Sequence, residues 1–135
     1  MKMRVFVDAS AIIAIIANEP DRDDLVQRLK LHKNRQISPL VVYEAVTALS
    51  RIKQQSNKEA LLLVEKFLKI YAFKSVLIDM NIAKSALETQ SVFGRGNHPA
   101  KLNMGDCFSY ACAKKLGQPL LFKGNDFNKT DIKLA

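Results

Sequence analysis

Several classes of protein are excluded by what this chain of 135 residues lacks. It has no long apolar run: the longest, AIIAIIA at 11–17, falls far short of the roughly 20 residues needed to cross a bilayer. The start, MKMRVFVDAS, has no apolar leader core and runs straight into a predicted strand. No cleaved leader is therefore expected, and the expected compartment is the cytoplasm. Cysteine is scarce. Cys107 and Cys112 lie on different faces of one predicted helix and form no CxxC, which suggests buried reduced thiols rather than a disulfide or metal site. Histidine is equally scarce, with His32 and His98 only. Composition alone allows a two-histidine ribonuclease, but His32 falls at a charged helix end and is expected to be solvated. No Ser/His/Asp or Cys/His arrangement is present. There is no internal repeat, linker or low-complexity tract, so residues 1–135 are expected to form one domain.

Acidic residues are also outnumbered. Lys and Arg number 21 against 13 Asp and Glu, a net charge of +8. Such a balance favours a polyanionic partner, either nucleic acid or an acidic protein segment. The plain alternative is a set of solvated helix faces, because the basic residues are spread and form no compact block. The hydrophobic content of 48% is ordinary for a globular protein.

The pattern along the chain alternates strands and helices. Val5, Phe6 and Val7 are strand formers that stop on Asp8, and a nearly all-apolar helix is predicted from Ser10 to Asn18. A second helix is predicted over 21–32 and a short strand at Gln36-Ile37. Ser38-Pro39 is a helix start, with Ser as cap and Pro at the first helical position, and the helix extends to about Gln54. Asn57 is expected to cap a helix over 58–73. Val76-Leu77-Ile78 is the predicted third strand, and Asp79 or Asn81 caps a helix over 82–92. The segment FGRGNHPAKL at 93–102 is the one Gly/Pro-marked loop of any length. Asn103 caps a helix over 104–116 that Gly117 ends. Pro119–Phe122 is the predicted fourth strand, and 132–134 a possible last one. This order argues an α/β fold with a parallel sheet covered on both faces.

Four acids fall where such a fold gathers side chains. Asp8 ends the first strand, Glu44 lies on the second turn of the helix after the second strand, Asp106 is in the first turn of the 104–116 helix, and Asp126 follows the fourth strand. Ligands in open parallel sheets bind beyond the carboxyl ends of the strands. Carboxylates crowded there repel one another, and a cation relieves the repulsion; all-oxygen ligation suits Mg2+ or Mn2+. Each acid also has a plainer reading: Asp8 and Asp126 as helix caps, Asp106 as a complement to the helix dipole, Glu44 as a surface ion-pair partner.

The runs VDASAI, SPLVVYEA, GRGNHPAKLNMGDCFSYACAKKLG and PLLFKGNDFNKTDI occur in this order from the first strand to the C-terminus. Together they resemble the PIN-domain nucleases and, more narrowly, the VapC toxins of bacterial toxin–antitoxin pairs. The most specific part is the HPAxLNxGDC run. The resemblance implies a three-layer α/β/α sandwich around a parallel sheet of four to five strands. It implies a Mg2+-dependent endoribonuclease (Mn2+ as substitute) that acts as a homodimer and is held inactive by a VapB-type antitoxin. Asp8, Glu44 and Asp106 would be the core acids, with Asp8 and Asp106 as direct metal ligands. Asp126 would be the fourth acid, a role that nearby Asp131 could share or take. Ser10 would orient a carboxylate or a metal-bound water. Arg95, His98, Lys101 and Lys123 are candidates for touching the RNA, with His98-Pro99 shaping the loop that carries them.

Two rivals stand beside this reading. A catalytically silent RNA- or protein-binding module would share the basic surface without needing the acids. A phosphoacceptor domain of the receiver kind is suggested by Val76–Ile78 running into Asp79, but it requires an acidic pair after the first strand, where Asp8 is followed by Ala9.

Overall fold

The computed structural model describes residues 3–135. The sheet is built outward from β1 (Arg4–Val7). β2 (Asn34–Ile37) pairs with one edge of β1 and β4 (Leu120–Leu121) with the other, while β3 (Lys74–Ser75) lies outside β2. All pairings are parallel and the order is β3-β2-β1-β4. Phe6 stands opposite Gln36 on one side and Leu120 on the other. Successive strand residues point to opposite faces, yet Val5, Phe6 and Val7 are all fully buried, so helices cover both faces. These are α1 (Ala9–Ile16), α2 (Arg22–Leu31), α3 (Pro39–Ile52), α4 (Asn57–Ile70), α5 (Met80–Phe93) and α6 (Met104–Leu116). The expected α/β/α arrangement is present, with four strands. None of these helices is long and apolar enough to cross a membrane among the described residues.

Helix starts follow the capping chemistry. The Ser38 hydroxyl accepts from Val41 N at 3.3 Å, and Pro39 sits at the first helical position. Ser56, one residue earlier than predicted, caps α4 through a reciprocal box with Glu59. Asp79 caps α5. Asn103 and Asp106 form a second box at the start of α6, and Gly117 closes that helix at φ +64.

Three expectations need correction. The third strand is Lys74–Ser75, not Val76–Ile78. Ile37 is opposite Ser75, so the next partner of the strand would be Ser38, which already caps α3. The Val76 amide donates to Ile37 O at 2.8 Å and pairing then ends, leaving Leu77 86% exposed. The predicted last strand is reduced to one bridge, Leu120 to Leu134, held by Leu120 N to Lys133 O at 2.9 Å and Ala135 N to Leu120 O at 3.0 Å. His32 is not solvated. It is 8% exposed, and its Nδ1 lies 2.9 Å from the Arg28 carbonyl one helical turn back.

α5 and α6 pack antiparallel. Gln90 and Met104 line one shared cavity, Asp79 and Leu116 another at the opposite end. The intervening loop is pinned at both ends by Leu102 N to Phe93 O at 3.0 Å and Arg95 N to Leu102 O at 3.1 Å. After β4 the chain makes a 3-10 turn, Asp126–Lys129. Phe127 anchors that turn: it is 2% exposed and its ring lies 4.9 Å from that of Phe122. Phe127→Ala is expected to cost about 3–5 kcal/mol, read as a lower urea midpoint at unchanged m-value. A loss under about 1 kcal/mol would show that the turn is not held by this ring.

Candidate active site

Strand order reverses between β1 and β4: successive strands step from β1 out to β3, then return past β1 to β4. The crevice at that reversal, beyond the strand carboxyl ends, is where α/β sheets place ligands. Asp8 leaves β1 at this point. Its amide donates to Leu121 O at 2.9 Å, locking it to β4, and its side chain is 4% exposed. One carboxylate oxygen, Oδ2, accepts from Ser10 N at 3.0 Å, so Asp8 is the cap of α1. The other, Oδ1, accepts from the Ser109 hydroxyl at 2.6 Å. The cap role leaves room for a site role, because each oxygen keeps lone-pair capacity after accepting one bond.

The Ser10 hydroxyl accepts from Lys123 N at 3.0 Å, which ties the segment after β4 to the start of α1 and leaves its O–H to donate. The hydroxyl on the carboxylate is that of Ser109, which the sequence reading missed. A signal existed: Ser109 follows Asp106 by three positions on one helix, a spacing that puts both on the same face.

Glu44 and Asp106 complete the inner group. Asp106 is fixed by its capping box, with Asn103 N donating to Oδ2 at 3.1 Å and Asp106 N donating to the Asn103 side chain at 2.8 Å. Glu44 projects from α3 onto the first turn of α6 at Gly105. A methyl group on Gly105 would overlap the Glu44 carboxylate, so the carboxylate keeps this place only while residue 105 is glycine. Burial raises the Glu44 carboxyl to about 7, with the charges of Asp8 and then Asp106 adding to the shift. Burial also raises Asp106 to about 7, helped by Asp8 and Asp126 and opposed by the Asn103 hydrogen bond and the Arg95 charge. Glu44 makes no ion pair among the described residues, which removes the surface-pair reading.

Asp126 begins the 3-10 turn, exposed, and its charge reaches Asp106. Asp131 lies elsewhere. It accepts from the Tyr110 hydroxyl and pairs with Lys114 Nζ at 2.9 Å, contacts that hold its carboxyl below the usual range. Of the basic candidates, Arg95 acts on Asp106 by charge, while Lys123 is paired with Glu19. The His98 ring packs edge-on against Phe93, and its Nδ1 accepts from Ala100 N at 3.0 Å, so it shapes the loop. Lys101 borders a cleft shared with Asp126 and Lys129, the last unmarked in the sequence reading. The acids share one electrostatic field, but among the described residues no three His, Cys, Asp or Glu side chains converge tightly enough to ligate an ion directly. Mg2+ does not demand that: it keeps several waters and takes one or two protein carboxylates.

Comparison with known proteins agrees with this geometry. The profile of the PIN domain family matches residues 5–133. A VapC ribonuclease of Rhizobium meliloti is 40% identical over 139 residues, covering 94% of this chain and 98% of that protein. Ribonuclease VapC42 of Mycobacterium tuberculosis is 36% identical over 132 residues, covering 97% of this chain and 98% of the relative. Among solved structures, M. tuberculosis VapC20, described as a sarcin-ricin loop cleaving toxin, has a TM-score of 0.76 at 18% identity, covering 97% of this chain and 98% of that one. VapBC-1 of nontypeable Haemophilus influenzae gives a TM-score of 0.72 at 16% identity, covering 98% and 97%. The chain belongs to the PIN domain family and, within it, to the VapC ribonucleases.

Proposed function

We propose that this single domain, residues 1–135, is a Mg2+-dependent endoribonuclease and the toxin of a VapBC-like pair. One observation carries the reading: Asp8, at the strand-order reversal, shares an electrostatic field with Glu44 and Asp106, and burial with the charge of neighbouring acids pushes those two to about 7. Perturbed carboxyls clustered in a crevice are the signature of a working site. The names of the relatives, VapC ribonucleases, supply the reaction class.

The donor set fits a hard divalent cation. It is all oxygen, and its members bear charge that burial penalises unless a cation is near. The PIN-domain nucleases of this kind depend in general on a metal; Mg2+ is the ion proposed here, with Mn2+ as substitute. Asp8 and Asp106 would hold it, with Glu44 and Asp126 in reach through water or directly. When bound it would supply an acidified water and neutralise charge on the scissile phosphate. The chain's own part is positional. Ser109 and the Ser10 amide keep both Asp8 oxygens in place. Glu44, whose carboxyl lies at about 7, is matched to orient the attacking water and take a proton at its carboxylate oxygen. The basic residues around the acids hold the RNA backbone.

The expected partner is a VapB-type antitoxin, since solved VapBC assemblies share this fold. An arginine from it could pair bidentately with two of the carboxylates. The chain is expected to act as a homodimer in the cytoplasm.

Metal binding is tested by thermal stability against pH. Both raised carboxyls have ordinary values of 4.5 and 3.8 and folded values of about 7. The stability they contribute is full below the ordinary values and is lost as pH rises through about 7. The metal-free protein should therefore melt lower at pH 8 than at pH 5.5. Added Mg2+ should raise Tm by several degrees at pH 8 and by little at pH 5.5, where protons compete. No shift at pH 8 at millimolar Mg2+ or Mn2+ would favour the silent binding module, and cleavage of total RNA unaffected by EDTA would remove the metal from the mechanism.

Gly105→Ala separates site from fold. Alanine suits the helix, so Tm should hold or rise slightly. The displaced Glu44 carboxylate should lower RNA cleavage by about 10-fold or more, a barrier increase of about 1.4 kcal/mol. Retained cleavage would mean that Glu44 need not stand against α6.

A further inference from the structure

The acid cluster accounts for the metal but leaves open where the RNA backbone lies beside it. Next to Asp126 a cleft of about 330 Å3 opens between the 93–103 loop and the Asp126–Lys129 turn. Its lining is Pro99, Ala100, Lys101, Asn125, Asp126 and Lys129. The Asp126 charge is felt at Asp106, so cleft and acid cluster adjoin.

Two features mark this cleft. First, its ammonium groups are free. Among the described residues neither Lys101 nor Lys129 is in an ion pair, although an exposed carboxylate lines the same cleft. Lys123 and Lys114, by contrast, are committed to Glu19 and Asp131. Second, the backbone under Lys101 is held in an unfavourable place. Its φ is +52, a left-handed conformation that costs a non-glycine residue about 1–2 kcal/mol. The loop enforces it. Lys101 N donates to His98 O at 3.0 Å, Ala100 N donates to His98 Nδ1 at 3.0 Å, and the His98 ring rests edge-on against Phe93. On the far wall, Phe127 is buried and fixes the turn that ends in Lys129. Both lysines thus stand on constrained backbone, facing one space large enough for a nucleotide's phosphate and sugar. Constrained outliers of this kind collect at binding sites.

We propose that this cleft is a subsite for the backbone phosphate of a nucleotide flanking the cleaved bond, held between the Lys101 and Lys129 ammonium groups. The inference rests on the ribonuclease reading above and says on which side of the acids the strand runs. His98 serves it by shaping the loop rather than by touching substrate.

The test is the initial rate of total-RNA cleavage with Mg2+ by the full-length protein, measured across KCl concentration and RNA concentration. Five proteins are compared: wild type, the double variant Lys101→Ala/Lys129→Ala, the double variant Lys101→Arg/Lys129→Arg, Lys66→Ala on the surface of α4 as a charge control, and Asp8→Asn. At limiting RNA and near-physiological salt the alanine pair should cut about 10-fold slower than wild type. Its rate should depend less steeply on salt, the log–log slope falling by about 0.7 for the one phosphate contact on a single strand. At saturating RNA its rate should return to within about twofold of wild type, because binding and not chemistry is impaired. The arginine pair and Lys66→Ala should track wild type. An alanine pair with the wild-type rate and salt slope overturns the subsite. So does an arginine pair as impaired as the alanine pair, or a loss that persists at saturation. The parent reading fails separately: wild type that does not cut, or Asp8→Asn that cuts as well as wild type, refutes the metal-site assignment whatever the lysines do.

Discussion

A carboxylate that is 4% exposed must be held by hydrogen bonds, and the arrangement around Asp8 depends on how this is done. One oxygen is bonded to the first turn of α1 and the other to Ser109 on α6, while the Asp8 amide is bonded to β4. The helix that follows directly, α1, and two elements far along the chain, α6 and β4, are thereby fastened to one residue at the point where the strand order reverses. A buried acceptor left short of a donor costs about 1–3 kcal/mol, so the cap of α1, the seating of α6 and the placement of the acid are parts of one constraint. Glu44 and Asp106 share this field where the Glu44 carboxylate lies against Gly105 in the first turn of α6.

Charge is arranged in two shells. Inside, burial first and then the charge of neighbouring acids push Glu44 and Asp106 to about 7. Outside, the chain carries a net charge of +8, with Arg95 acting on Asp106 and with Lys101 and Lys129 sharing a cleft with Asp126. A nuclease needs both: acids to hold a cation at the scissile phosphate, and bases to hold the rest of a polyanion against them. Some of the basic residues are engaged in the fold, as Lys114 is with Asp131 and Lys123 with Glu19.

Much of this was legible in the sequence because strong local signals and the site coincide. Ser38-Pro39, Asn103 with Asp106, and Gly117 each punctuate the chain by local chemistry, and they place Glu44 and Asp106 on helices with correct starts. The third strand was misplaced because pairing depends on its neighbour: the apolar run Val76–Ile78 met a partner strand that had already become the cap of α3. The burial of His32 was hidden for a similar reason, since its charged sequence neighbours say nothing of the fold packed over its ring. Lys129 owes its position to contacts across the fold and no sequence pattern marks it, whereas Ser109 is signalled only by its spacing of three from Asp106. The contacts of Asp131 with Tyr110 and Lys114 were equally hidden, since they join a helix to the C-terminal segment.

The most direct test of the central claim is the cleavage of total RNA with Mg2+ by Asp8→Asn beside wild type. Asparagine keeps the shape and caps a helix as well as aspartate, so the variant should fold and melt close to wild type. Without the ligand charge, cleavage should fall by at least about 100-fold, the loss of about 3 kcal/mol of barrier lowering. Undiminished cleavage by a folded Asp8→Asn protein would contradict the account.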